Sequence, residues 1–358
     1  MRWMGLVCLL WLCAGTWVDA APTTRPSQSP SPRLELWHLR APGPFGQALP
    51  ALPNSSRVNI WTRKLQKLFP RHRLNLRRVT LASVSQLSSL FSSTSKPKNK
   101  GIRVFLFEGY AVFRDANPRK GTEYWWLTQK TNASDASSLK RHGLTLQRLE
   151  KAMKTSRQRW LWIGEGMFWD ARQSFVRPLS TLHLSEGWKT PLQTKLWKLG
   201  CAQNAFNSCR KQAELQLRTT KKNPNAAIST IASLLKRGCR GGDGLSCLKL
   251  GILLRQGIRL KRDLKRARAL LQQACEHRQG HGCLLLGVER QYRQGKHALA
   301  PPLYKRGCEY KAALSCAMYA NTLVRKGKTP QRCKQAKRWL KRACQLGMKR
   351  ACTMKLCP

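Results

Sequence analysis

The sequence predicts an α/α solenoid of disulfide-linked helical hairpins over residues 190–358, preceded by a small α/β domain over residues 57–180. Three observations carry that reading. Five cysteine pairs, Cys201/Cys209, Cys239/Cys247, Cys275/Cys283, Cys308/Cys316 and Cys344/Cys352, share one spacing of seven intervening residues. Their first members recur at offsets of 38, 36, 33 and 36 residues, the period of a helical-hairpin array. Upstream of them, short apolar runs alternate with amphipathic stretches, the texture of strand and helix in turn.

The chain opens with Arg2, an apolar run from Met4 to Leu12 and a small-residue exit at Val18-Asp19-Ala20. That is the pattern of a secretory signal over residues 1–20, cleaved after Ala20. The run is too short to span a bilayer, and no later segment reads as transmembrane. Cleavage removes Cys8 and Cys13 and leaves twelve of the 14 cysteines in a compartment where disulfides persist. Ten fall into the five pairs; Cys333 and Cys357 are candidates for a sixth. Residues 21–56, rich in proline and polar side chains, are expected as an extended or disordered linker, because such sequence buries too little to offset its ordering entropy.

Between residues 57 and 180, Leu74–Leu81, Ile102–Phe107, Tyr124–Leu127 and Trp160–Ile163 read as strands, and Ser83–Phe91 and Leu144–Met153 as helices. Alternation of the two predicts a parallel sheet. Trp160 and Trp162, two residues apart, share one side of a strand, where they pack against a helix.

From about residue 190 the pattern is helical. In the copy after Cys247, Leu250, Gly251 and Leu254 make one face, Gly257 stops the helix, Asp263 caps the next, and Ala267, Leu270, Leu271 and Ala274 face back. Ala336, Leu340 and Ala343 repeat this before Cys344. Pro301-Pro302 shorten the corresponding helix of the third copy or start it. The first copy, Cys209–Cys239, lacks the glycine and the aspartate. A small residue precedes each of the ten cysteines (Gly200, Ser208, Gly238, Ser246, Ala274, Gly282, Gly307, Ser315, Ala343, Ala351), as a close helix crossing requires. Residues eight apart in one helix lie about 12 Å apart along its axis, whereas disulfide-linked Cα atoms lie within about 7 Å. With Gly241-Gly242-Asp243-Gly244 marking a turn, each pair is expected to straddle a corner, joining one hairpin's second helix to the next hairpin.

Leu250-Gly251, Gly257, Asp263, Ala267 and Ala274-Cys275, with the seven-residue cysteine spacing, resemble Sel1-like repeats of the Helicobacter cysteine-rich protein type over residues 190–358. The resemblance implies an α/α solenoid with one disulfide per repeat, exported from a Gram-negative bacterium to its periplasm or beyond. In the upstream domain, the order of strands and helices, with Glu108-Gly109-Tyr110-Ala111 after one strand and Gly164-Glu165-Gly166 after the last, resembles a bacterial caspase-like (peptidase C14) domain. In that family the two strands end in Ser-Gly-His-Gly and Asp-Ala-Cys, so Tyr110 stands at the histidine position and Gly166 at the cysteine position. A cysteine protease needs a thiolate and a base in hydrogen-bond reach, and these degenerate positions offer neither. No catalytic residue is therefore assigned.

Ser-x-x-Lys occurs at Ser93–Lys96, Ser137–Lys140 and Ser233–Lys236, and the cysteine-rich repeat family is associated with penicillin binding or β-lactamase activity. The Ser-Asp-Asn and Lys-Thr-Gly companions of that chemistry are absent, leaving a penicillin-interacting hydrolase as the alternative. Zinc sites favour two to four residues between paired ligands, and His142, His277, His281 and His297 are scattered; no metal or cofactor is expected. The charge is +51, with 67 Lys+Arg against 16 Asp+Glu. Basic residues crowd Arg255, Arg259, Lys261, Arg262, Lys265, Arg266 and Arg268, and again Lys334, Lys337, Arg338, Lys341 and Arg342. Such a field attracts acidic polymers or acidic proteins, which makes a polyanion-binding cell-envelope protein the second alternative, although no nucleic-acid module is present. The expected function is protein binding on the repeats, as an exported adaptor.

Overall fold

The structure, a computed structural model, describes residues 33–41, 56–70, 72–80, 102–117, 121–128, 135–153, 159–170, 175–186, 188–219, 224–257 and 260–357. The expected signal segment, the helix expected over Ser83–Phe91, Ser93–Lys96 and Arg259 lie outside the described residues.

The amino-terminal half contains β1 (Arg33–Arg40), α1 (Ser56–Leu68), β2 (Arg73–Thr80), β3 (Ile102–Asn117), β4 (Gly121–Trp126), α2 (Ala136–His142), α3 (Leu146–Met153), β5 (Arg159–Asp170) and β6 (Phe175–Leu184). The sheet runs β2-β1-β3-β5-β6, with β4 paired to β3. β1 is parallel to β2 and β3, and β3 is parallel to β5. The expected all-parallel sheet is in fact mixed, because β4 and β6 return antiparallel to β3 and β5. β1 leaves the edge of β3 at Glu108, and β4 takes that edge over from Ala111 onward.

One correction concerns the expected linker over residues 21–56, which contains β1. Arg33–Arg40 is a proline-free run between Pro32 and Pro42, and its alternation serves both faces of the sheet. Leu34 and Leu36 join Ile102, Val104, Leu106, Leu161 and Ile163 beneath Trp61, Leu65 and Phe69 of α1 and the turn after it. Trp37 and Leu39 join Phe105, Phe107, Trp160 and Trp162 against Leu144 and, on α3, Leu149. Both faces are thus covered, as a largely parallel sheet requires. A second correction is the boundary at residue 180, which would cut β6.

From residue 190 the chain forms α4 (Thr190–Ala202), α5 (Phe206–Thr219), α6 (Pro224–Arg240), α7 (Gly244–Gln256), α8 (Leu264–Glu276), α9 (Gly280–Val288), α10 (Ala300–Glu309), α11 (Ala313–Arg325), α12 (Pro330–Gln345) and α13 (Lys349–Thr353). A π-helical turn and a short 3-10 turn separate α9 from α10, which begins one residue before Pro301. Gly257 stops α7 with a left-handed φ of 71°, and the Asp263 carboxylate caps α8 by accepting from the Arg266 amide at 2.9 Å.

Six disulfides join Cys201–Cys209, Cys239–Cys247, Cys275–Cys283, Cys308–Cys316, Cys344–Cys352 and Cys333–Cys357. The first five bridge consecutive helices with Cα atoms 4.6–4.9 Å apart. Every one of these corners is a Schellman motif. The carbonyl before the first cysteine (Gly200, Gly238, Ala274, Gly307, Ala343) accepts from the amide five residues on, at 2.8–3.1 Å. The third residue after that cysteine takes positive φ: Asn204, Gly242, Arg278, Lys311 and Gly347.

The small residues before the paired cysteines face each other across the corner. A Cβ on Gly238 would collide with Ser246 Oγ, and one on Gly200 or Gly307 with Ser208 or Ser315 Oγ. Gly238→Val is therefore expected to lower the unfolding free energy by about 3 kcal/mol through overpacking, read as a reduced melting temperature. An unchanged melt would show that the corner yields.

Candidate functional site

The two halves meet where α5 lies against β6. Asn207 Nδ2 donates to the Leu182 carbonyl at 2.7 Å, and the Leu182 amide donates to Asn207 Oδ1 at 3.3 Å. One amide side chain thereby occupies both backbone groups of a strand residue and covers part of an edge open to mispairing. Trp188, Leu196, Trp197 and Ala205 belong to the same core as the α1 face of the sheet, so the apolar interior is continuous across the junction.

Beside this contact lies a buried charge cluster. Arg210, its side chain 1% exposed, donates through Nε to Asp243 Oδ2 and through Nη1 to Glu214 Oε1, each at 3.0 Å. Asp243 is the N-cap of α7, where its Oδ2 also accepts from the Ser246 amide at 3.1 Å and from the Ser246 hydroxyl. Glu214 further meets Lys249 at 3.3 Å and Lys211 at 3.5 Å. Burial alone would push Arg210 down, but the Asp243 and Glu214 carboxylates outweigh it and hold the guanidinium above its ordinary value. Burial works against ionisation of Glu214 too, and Arg210, Lys211 and Lys249 reverse it, holding that carboxyl below its ordinary value. Burial dominates at Lys211 and pushes it down. The cluster ties α5 to the α6–α7 corner and to α7.

These elements wall a cavity of about 540 Å³ between sheet and helices. Tyr124, Trp126, Trp162 and Trp197 contribute aromatic surface, Glu150, Glu186 and Glu214 negative charge, and Arg210, Lys211 and Arg218 positive charge. Aromatic surface with charges of both signs suits a peptide or zwitterion. The serine in its wall, Ser185, accepts at Oγ from the Trp160 amide at 3.1 Å and from Trp188 Nε1 at 3.2 Å, and donates to the Glu186 carbonyl at 3.3 Å. That hydroxyl is committed to structure.

Apart from Trp162, which lines this cavity, the site residues singled out from sequence fall elsewhere. Tyr110 and Gly166 lie inside β3 and β5 rather than at their ends, because both strands continue beyond them. Gly166 is opposite Gly109 and Tyr110 is opposite Met167. Strand alternation therefore puts positions 110 and 166 on opposite faces of the sheet, and the structure does not bring them into one site. Tyr110 is buried with Val112 and Leu127, and burial pushes its phenol up.

Ser137 Oγ bonds Asp135, the N-cap of α2, at 2.7 Å. Ser233 is exposed on α6 and donates to the Thr230 carbonyl at 2.9 Å, away from any described cavity wall. Trp160 and Trp162 are buried in the core. His142 ends α2, His277 follows α8, His297 is exposed, and burial pushes His281, on α9, down. Among the described residues no three His, Cys, Asp or Glu side chains gather as a metal set, and no helix is long and apolar enough to cross a membrane. The basic residues of α8 and α12 point outward: Lys265, Arg266, Arg268, Lys334, Lys337, Arg338, Lys341 and Arg342 are exposed. The Arg210 cluster escaped sequence reasoning, although Arg210 and Glu214 at i,i+4 and Asp243 in a turn were its visible traces.

No family model matches the chain, and no curated protein sequence matches it. Solved structures of Sel1 repeat proteins are similar to it. A Sel1 repeat protein from Oxalobacter formigenes is 19% identical with a TM-score of 0.40, covering 45% of this chain and 66% of that one. A protective antigen of uropathogenic Escherichia coli displaying an SLR fold is 21% identical with a TM-score of 0.38, covering 45% of this chain and 35% of that one. Cysteine rich protein B of Helicobacter pylori is 20% identical with a TM-score of 0.26, covering 47% of this chain and 98% of that one. The chain spans less than two thirds of the first two.

Proposed function

We propose that the chain is an exported, non-catalytic protein-binding scaffold. Its Sel1-like hairpins supply the interaction surface, and its sheet half is a degenerate caspase-like domain that has lost its reaction. The observation that carries this reading is the covalently clasped array, fixed to the sheet through Asn207 and held at its first corner by the Arg210 cluster. A surface whose shape is set before a partner arrives saves the ordering cost of association, and stacked repeats offer such surfaces over a long extent.

The chemistry supports binding over turnover. Tyr110 and Gly166 are the residues at the matched histidine and cysteine positions, and neither supplies a base or a nucleophile at neutral pH. Ser233 is exposed, with its hydroxyl bonded to backbone. The six disulfides support an oxidising compartment, such as the periplasm of a Gram-negative bacterium.

The test immobilises the oxidised chain and passes periplasmic extract over it. A defined protein retained through a moderate-salt wash, with no nitrocefin hydrolysis, is the expected result. Nitrocefin turnover abolished by Ser233→Ala would replace the scaffold with the hydrolase.

A further inference from the structure

The last hairpin carries a groove that the sheet junction does not explain. On α12, Lys334, Lys337, Arg338 and Lys341 follow the i, i+3, i+4, i+7 rule and share one helix face. With Lys328 they line a groove of about 650 Å³ that also takes in Pro330 and the Cys333–Cys357 disulfide. From Tyr310 to Pro358 the sequence has 13 Lys and Arg and no Asp or Glu. The groove's cations therefore have no carboxylate side chain in their own hairpin. Earlier in the array the sequence does provide them: Asp263 lies 3.9 Å from Arg266, and Glu289 lies 4.0 Å from Arg268 and 3.7 Å from Arg293.

We propose that this groove docks an acidic peptide segment that carries an apolar side chain, an inference that rests on the protein-binding reading and gives the partner its chemistry. Charge complementarity selects an acidic occupant. The proline ring, the disulfide sulfurs and the methylene stems of the lysines add an apolar surface that a uniformly charged polymer leaves unused. The stripe extends about 10 Å along the helix, the length of about three residues of extended peptide. A polyanion held through its backbone phosphates gains affinity from a much longer track.

The probe is a fluorescein-labelled octapeptide alternating glutamate and leucine, titrated into the oxidised full chain and read by anisotropy. Lys337→Glu with Arg338→Glu is expected to weaken binding at least tenfold. Lys261→Glu with Lys265→Glu changes the net charge equally around the start of α8 and is expected to shift it less than twofold. A probe with serine in place of leucine is expected to bind at least fivefold more weakly. Lys337→Gln, which removes one charge, gives an intermediate loss and guards against misfolding of the double variant. Equal weakening by both double variants, equal binding of the serine probe, or a heparin fragment that binds the groove more tightly than the peptide would each overturn the proposal. If Lys337→Glu with Arg338→Glu still retains the protein captured from periplasm, the groove assignment fails while the scaffold reading stands.

Discussion

Arg210→Ala is expected to lower the unfolding free energy by about 3–5 kcal/mol, the range for removing one partner of a buried ion pair. The side chains of Arg210, Asp243 and Glu214 are 1%, 6% and 19% exposed, so water replaces little of what the guanidinium supplies. The loss falls on Asp243, which must also cap α7, and on Glu214, which keeps only its two lysines. Substituting the whole set, Arg210→Met with Asp243→Asn and Glu214→Gln, should recover much of the deficit, because no uncompensated charge is left buried. Glu214 also gives a pH signature. Its folded carboxyl is held below the ordinary 4.5, so its contribution is present above that value and lost as pH falls through the lowered one. Urea unfolding at neutral and acid pH should show that acid-side loss shrinking in Arg210→Ala. A destabilisation below about 1 kcal/mol would place the cluster among surface pairs of little worth.

Full reduction is expected to unfold the helical half at ordinary temperature. Each of the five clasps has a sequence separation of 8, a loop whose closure limits the unfolded chain by about 2.5 kcal/mol on the chain-entropy model. Cys333–Cys357, with a separation of 24, adds somewhat more. Even at half additivity the set rivals the about 5–15 kcal/mol that holds a typical domain together. The charge of +51 works against any compact state once the clasps open. Helical circular dichroism should collapse under a phosphine reductant and return on reoxidation. Retention of the signal with a melting point moved by only a few degrees would mean that packing suffices without the sulfur.

The helical half was legible because its constraints repeat in the sequence. Cysteine spacing, the small residue before each cysteine, Gly257 as a stop and Asp263 as a cap each announce one element of the corner or hairpin. What stayed hidden is the left-handed residue of each corner. Glycine marks it at Gly242 and Gly347 and asparagine, which tolerates the same region, at Asn204, but Arg278 and Lys311 take the same conformation with no signal of their own. There the disulfide and the six-residue Schellman bond fix the backbone that glycine fixes elsewhere.

The sheet was harder to read. β1 lies among prolines, and its two-sided burial removes the polar alternation that marks half-exposed strands. β6 contains Pro178, which argues against a central strand but is tolerated at the sheet edge. The extents of β3 and β5 were cut short at Gly109 and at Gly164-Glu165-Gly166, glycines that the structure keeps in mid-strand. Gly164 gives its space to Trp126, with which a Cβ there would collide. The junction left only traces, Arg210 and Glu214 four residues apart and Asp243 in a turn, since Asn207, Arg210 and Asp243 acquire meaning only when the sheet edge and two hairpins meet. The basic stripe of α12 was plain in the sequence, whereas its floor required Cys333 and Cys357 to be joined.

Peptide mapping of the unreduced protein by mass spectrometry tests the clasped array most directly. Proteolysis without reductant should release five linkages between cysteines eight residues apart, together with Cys333–Cys357. Free thiols among these twelve, or linkages joining distant hairpins, would contradict the array and the binding surface built on it.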